Sequence, residues 1–353
     1  MLLLLNQQLA QSTPLSDEQI AAAVHCLIDE SVSAELKADF LCALARKNET
    51  PAEIAAFARE LRAKSIIPPL DAETRARQIL DVCGTGGDRL NTFNISTTVA
   101  LICAAAGVTV AKHGNRAVTS QAGSADVLEA LGVKIDLSPE AAARSLREHH
   151  FAFFFAPFYH PAFRHISAAR KICAQRGQRT LFNFLGPLLN PARPTAQLVG
   201  VPRPELCSML ARVLQSLGVR RAMVVSGQVG NAWLDELSTL GDNVVAEFYQ
   251  ERGFADSVIS PGHFAIQPAV LADLAGGWSA SAKETCRMNA EIIRRLLRNE
   301  DTGPKRDAVL LNAGAALFVA GKIKSIGEGW DLAAEILASG RAKAKLDELA
   351  DNK

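Results

Sequence analysis

Apolar residues recur at helical spacing through the first seventy positions. Ile20, Val24 and Ile28 stand four apart, which places them on one face of a helix with 3.6 residues per turn. Ser16-Asp17-Glu18-Gln19 precedes them and reads as a capping box. In such a box the serine hydroxyl accepts an amide proton while the third residue on reaches back. Thr50-Pro51-Ala52-Glu53 repeats the signal with proline at the first helical position. The spacing also predicts a helix over 34–46. Pro68-Pro69 ends this section, since neither ring has an amide proton to donate.

The pattern then changes period. Short apolar runs at 78–83, 108–111, 152–156, 197–201 and 221–225 each lead into turn residues. Helical segments at 97–106, 124–131, 139–149 and 204–217 separate them, and two more lie at 283–298 and 305–320. Strands alternating with helices predict an α/β domain with a mostly parallel central sheet. A further helical segment, 161–176, sits in the middle of this part and is expected to return to the N-terminal helices. The predicted organisation is a small helical domain over 1–72, joined in space by about 161–182, and a larger α/β domain over 73–160 and 183–353.

Composition narrows the function classes. The chain has 353 residues, 48% hydrophobic and 21% charged, ordinary values for a globular protein and wrong for a disordered one. Thirty-eight Lys and Arg face 37 Asp and Glu, for a net charge of +1. The basic excess of a general nucleic-acid binder is missing, so no nucleic-acid partner is expected. No apolar run is long enough to span a membrane, so none is expected as a partner. The leucines from Leu2 to Leu5 lack the charged flank and cleavage site of a signal peptide. Seven dispersed cysteines without metal or redox spacing predict reduced thiols in a cytoplasmic protein.

Three constellations carry chemistry. Gly84-Thr85-Gly86-Gly87-Asp88 directly follows a predicted strand. Glycines there allow a tight turn that brings bare amides close to an anion. Asn94-Ile95-Ser96-Thr97 then opens a helix, with Ser96 or Thr97 as the expected cap and the helix N-terminus as an anion site. Lys112-His113-Gly114-Asn115-Arg116 follows the next strand, and Ser120, Gly123 and Ser124 lead into another helix start. The ends of strands in α/β folds are where ligands bind. Asp235-Glu236 follows a later strand, and adjacent carboxylates in a loop hold Mg²⁺ through oxygen ligands. Taken singly, each has an ordinary reading as a turn, a solvated loop or a surface pair. Their weight comes from occurring together.

In this order, these motifs resemble the anthranilate phosphoribosyltransferase family. Gly123-Ser124-Ala125-Asp126, Phe182-Asn183, Leu185-Gly186-Pro187-Leu188, Asn190-Pro191, Arg306-Asp307 and Leu311-Asn312-Ala313-Gly314-Ala315-Ala316 extend the similarity over nearly the whole chain. The resemblance implies a fold like that of nucleoside phosphorylases and phosphoribosyltransferases, with a homodimer formed through the helical part. It implies Mg²⁺-dependent transfer of phosphoribose from phosphoribosyl pyrophosphate to anthranilate, in tryptophan synthesis. Gly84, Gly86, Gly87, Asp88, Thr92, Asn94, Ser96, Thr97, Lys112 and Ser124 are then expected around the donor. His113, Asn115, Arg170 and Pro187 line the acceptor path, and Ser96, Asp235 and Glu236 serve the metal. Asp88, Lys112 and His113 are the expected catalytic groups, with His113 read as a spacer or shape-former ahead of a base. Departures from the family pattern fall at 170–180, at 230–235, at Ala168-Ala169 and at Ser238-Thr239-Leu240-Gly241. A pyrimidine-nucleoside phosphorylase and a non-catalytic nucleotide- or nucleic-acid-binding relative are the competing readings.

Overall fold

A computed structural model describes residues 1–117, 122–250 and 252–351; Ser120 lies outside them. The chain opens with helices α1 (Leu2–Ala10), α2 (Asp17–Ile28), α3 (Ala34–Lys47), α4 (Pro51–Ala63) and α5 (Ala72–Ala76). Both capping boxes form: Ser16 and Gln19 exchange hydrogen bonds at the start of α2, and Thr50 and Glu53 do so at α4. The leucine run becomes α1, which buries Leu2, Leu5 and Leu9 and leaves Leu3 and Leu4 exposed.

The α/β part follows as β1 (Ile79–Gly84), α6 (Ile95–Ala105), β2 (Thr109–Gly114), α7 (Ser124–Ala130), α8 (Pro139–His149), β3 (Phe151–Phe155) and α9 (Ala156–Tyr159). Next come α10 (Ser167–Gln175), β4 (Ala196–Gly200), α11 (Leu206–Ser216), β5 (Arg221–Val229), β6 (Ala232–Leu234), β7 (Asn243–Tyr249) and β8 (Gly253–Ile259). Four helices close the chain: α12 (Ala282–Leu297), α13 (Pro304–Val319), α14 (Ile326–Ala338) and α15 (Arg341–Asp351).

The sheet runs β3-β2-β1-β4-β5-β7-β8, with β6 paired to β5. β3 to β5 are parallel, while β7 and β8 add antiparallel strands. Strands buried on both faces read as continuous apolar runs, which is why the five parallel ones were predictable. β8, largely exposed at the edge, carries no such run. α6, α7 and α12–α15 contribute to one large core, and α1–α4, α10 and α11 to another.

The segment 161–176 differs from the single helix expected. Pro161–Ile166 winds as a 3-10 turn and only then does α10 begin. Ile166, Ala169 and Cys173 share their core with the N-terminal helices, and α10 packs on α3.

Candidate functional site

β1 and β4 are neighbours where the chain reverses its progress across the sheet: β2 and β3 lie to one side of β1, β4 and β5 to the other. Open α/β sheets form a crevice beyond the carboxyl ends of their strands at such a reversal. Gly84 and Gly200 are register partners there. A Cβ on Gly84 would overlap the Asp235 carboxylate, and one on Gly200 would overlap the Asp235 carbonyl. Their bare backbones therefore let the acidic segment cross the strand ends.

Beyond β1, Gly86 and Gly87 hold φ values of 78° and 88°, a region that a Cβ would make strained. The turn aims the Gly86 amide at Asp235 Oδ2, 2.6 Å away. The Ser96 amide, in the first turn of α6, donates to Glu236 Oε1 at 3.1 Å. This corrects the expected cap: α6 starts after Asn94, which makes no side-chain cap, and neither Ser96 nor Thr97 caps it. A carboxylate 140 residues away takes the amide proton instead. Thr97 is buried, and its hydroxyl has no partner among the described residues.

Lys112, on β2, is 1% exposed. Its ammonium donates to the Val82 carbonyl at 2.7 Å and to Ser96 Oγ at 3.3 Å. Beneath it lies Asp81, which accepts from Asn190 Nδ2 at 2.9 Å. Burial pushes the Asp81 carboxyl up to about 6, against the pull of Asn190 and Lys112. Burial likewise raises Glu236 to about 7, with Lys112 opposing. Asp235 is raised well above the carboxylate range by desolvation and by the like charges of Asp88 and Glu236. Burial lowers Lys112.

Among the described residues, no three His, Cys, Asp or Glu side chains already form a metal cage. Mg²⁺ needs only one or two carboxylates, because waters and substrate phosphates complete its shell. Crowded carboxylates beside the Ser96 hydroxyl fit a hard divalent cation by chemistry and by charge.

The opposite side of the crevice has a different character. His113, next along β2, has its Nδ1 3.2 Å from the Gly186 carbonyl. A carbonyl only accepts, so the Nδ1 carries the proton. The buried Nε2 then presents a lone pair, with no partner among the described residues. Burial lowers His113 to about 3 and His160 to about 4, so both rings are neutral at pH 7. The rings of His113 and His160 meet edge-on at 5.2 Å, and His160 stacks on Phe163 at 5.0 Å. Phe163 meets Phe182 at 5.9 Å, and the exposed Arg170 lies over Phe182 at 5.4 Å. Pro187 is buried, and its carbonyl accepts from Gln197 Nε2 at 2.9 Å.

The remaining expected residues spread around this crevice. Asn94 Nδ2 donates to the Ala122 carbonyl at 3.1 Å, and Ser124 Oγ donates to the Asn115 carbonyl at 3.5 Å. Asn115 is exposed, and its Oδ1 accepts from the Arg116 amide at 2.7 Å. Arg116 turns to Asp126 and Glu129, both 2.8 Å away. Thr92 bridges to Ala275 and lines a small recess together with Asn91, Asn94 and Asn289. Asp81 and His160 are neighbours of the site that the motifs did not include. Asp81 had a signal, a lone carboxylate inside the apolar run 78–83.

The chain as a whole is similar to known proteins. A family model described as the helical bundle domain of a glycosyl transferase family matches residues 5–65. A second, described as the a/b domain of that family, matches 76–343. An anthranilate phosphoribosyltransferase of Petrotoga mobilis is 43% identical over 98% of this chain and 95% of its own. One from Acetivibrio thermocellus is 42% identical, over 98% and 94%. The crystal structure of anthranilate phosphoribosyltransferase from Thermus thermophilus aligns with a TM-score of 0.87 at 40% identity, covering 98% of each chain. The Saccharomyces cerevisiae enzyme in complex with phosphoribosyl pyrophosphate and Mg aligns at 0.84 and 28% identity, covering 99% of this chain and 97% of its own.

Proposed function

This chain belongs to the anthranilate phosphoribosyltransferase family, and from that premise we propose how its residues carry out the transfer. The reaction moves phosphoribose from phosphoribosyl pyrophosphate to the amine of anthranilate and releases pyrophosphate, in tryptophan synthesis. The observation that carries the reading is the meeting of the 84–88 loop, the first turn of α6 and Asp235-Glu236 over the ends of β1 and β4.

The amides of the 84–88 loop and of the α6 N-terminus bind the donor phosphates. Asn94, Thr97 and Ser124 supply further polar contacts, and the buried Thr97 hydroxyl is free to donate. Ser96, Asp235 and Glu236 would hold Mg²⁺, which when bound supplies positive charge for the pyrophosphate oxygens. Lys112 adds a fixed ammonium that needs no reorganisation as charge develops on the leaving group. Asp88, whose Oδ1 accepts from the Leu90 amide at 3.2 Å, adds negative charge beside Asp235 and Glu236. The arylamine of anthranilate is a free base at neutral pH, so the site has little need of a general base. His113 suits this: its neutral Nε2 accepts a hydrogen bond from the amine and orients the lone pair toward the ribose carbon. Asn115, Pro187 and Arg170 border the acceptor path.

We also place the protein in the cytoplasm as a homodimer joined through its helical part. Seven free cysteines support the first. Leu3 and Leu4, 65% and 66% exposed on α1, support the second; sedimentation of Leu3→Glu/Leu4→Glu tests it by yielding a monomer.

Loss of anthranilate fluorescence with phosphoribosyl pyrophosphate and Mg²⁺ tests the activity, with Asp235→Asn/Glu236→Gln as control. Turnover that collapses in the control is the expected result. Phosphorolysis of thymidine or uridine without anthranilate turnover would replace the reading with a nucleoside phosphorylase.

A further inference from the structure

Arg62 sits in the last turn of α4 and is 9% exposed. Its Nε is buried and meets no hydrogen-bond partner among the described residues. Among the described residues no carboxylate offsets its charge, and the Arg193 charge repels it. A buried guanidinium left unpaired is costly, and helix ends do not require it, since a cation there gains from the helix dipole while remaining solvated.

The surroundings say what would pair with it. α4 packs on the turn Gly186–Leu189, whose first carbonyl holds His113. Just past Arg62, the Ile66 amide donates to the Tyr159 carbonyl at 2.9 Å, and His160 is the next residue along. The end of α4 is thus bracketed by the two segments that hold both histidines, and both rings feel the Arg62 charge. Arg75 donates to the Ala192 carbonyl at 2.7 Å and faces the same Arg193. Cations and neutral imidazoles cluster here, with the Phe163 ring stacked on His160. Such a cluster suits an anion carried on a flat ring.

We propose that Arg62 is a specificity-determining residue of the acceptor path, pairing with the carboxylate of an aryl acid on the His113–His160 side of the crevice. This rests on the acceptor's being anthranilate. An acid group there gives the guanidinium its missing charge-assisted partner. It also lets the enzyme reject a neutral analogue that leaves the guanidinium unpaired.

The test is steady-state kinetics of the full chain, wild type, Arg62→Gln and Arg62→Lys. Anthranilate is compared with uncharged 2-aminobenzamide, used as substrate or as competitor. Arg62→Gln is expected to raise KM for anthranilate at least tenfold and to leave KM for phosphoribosyl pyrophosphate within twofold. Its affinity for 2-aminobenzamide should stay near that of the wild type, so that discrimination collapses. Arg62→Lys is expected to recover part of the anthranilate affinity. If Arg62→Gln does not fold, Arg62→Lys decides: a several-fold loss for anthranilate alone supports the pairing. Equal changes for both acceptors, or none, overturn it. Wild-type turnover of anthranilate is a separate arm, and its failure would sink the proposed function instead.

Discussion

On the strand-end wall of the crevice, Asp88, Asp235 and Glu236 crowd together with Lys112 as the buried cation beside them. On the wall toward the helical domain, the side chains of Arg62, Arg170 and two neutral histidines have no carboxylate partner among the described residues. Each wall carries charge or polarity that the folded chain does not balance. The first wall calls for a cation and the second for an anion. The acidic wall is also tied to the backbone amides of a distant glycine loop and a distant helix start, whereas the basic wall is held by ring contacts, the Gly186 carbonyl and the bond from the His113 amide to Asp81. The proposed function rests on this difference, with metal and pyrophosphate on one side and the acceptor acid on the other.

The largest effect is expected from Gly200→Ala. Its Cβ would overlap the Asp235 backbone, so the acidic segment must move off the strand ends. Turnover should vanish and stability should fall by on the order of 3 kcal/mol, read by denaturant unfolding. An alanine variant with normal activity would break the geometry argued for this wall.

Asp235→Asn/Glu236→Gln keeps shape and removes charge. Activity should fall by roughly 10²- to 10³-fold. Stability measured in EDTA should rise by about 1 kcal/mol or more, because burial and mutual repulsion disfavour both carboxylates. A melting temperature that drops in EDTA would show that the carboxylates do not repel as inferred.

The two walls titrate with opposite sign. Folded His113 and His160 bind protons at about 3 and 4, below the unfolded value of about 6.5. The unfolded chain therefore gains protons first, and this wall loses stability as pH falls from about 6.5 to 4. Asp81 and Glu236, at about 6 and 7 when folded, gain protons before their unfolded forms do. That wall gains stability as pH falls from about 7 toward 4. Unfolding free energy against pH should thus fall more steeply in Asp235→Asn/Glu236→Gln than in wild type, and less steeply in His160→Phe, by a few kcal/mol across the window. Identical slopes in all three would remove the electrostatic contrast.

Arg116→Ala provides the smallest effect. Arg116 is exposed and paired with Asp126 and Glu129 on the surface, so stability should change by less than about 1 kcal/mol. Neither KM should move by more than twofold. A large rise in KM for anthranilate would extend the basic wall to this loop.

Much of this molecule is written in local pattern. The two capping boxes, the five apolar runs that became β1 to β5, and the glycine loop after β1 need only neighbouring residues to be read. Each is a short-range preference of backbone or burial. β8 escaped because a solvent-exposed edge strand has no need of apolar residues, and α14 and α15 lie past 305–320, the last helical segment read from the sequence. The motif residues around Asp235, Ser96 and Lys112 were legible as types and order, through likeness to a family. Which partner each would take was not.

Sequence by itself determined that a glycine turn, a helix start and an acidic pair exist, and that an α/β sheet carries them. Tertiary structure decided that Glu236 caps α6 from 140 residues away, that Asp235 rests on two glycine backbones, and that Arg62 is buried beside His113 instead of solvated at a helix end. The reason is physical. Charge and hydrogen-bond capacity belong to a residue, but desolvation and unpaired charge belong to its surroundings, and only packing of distant segments sets those.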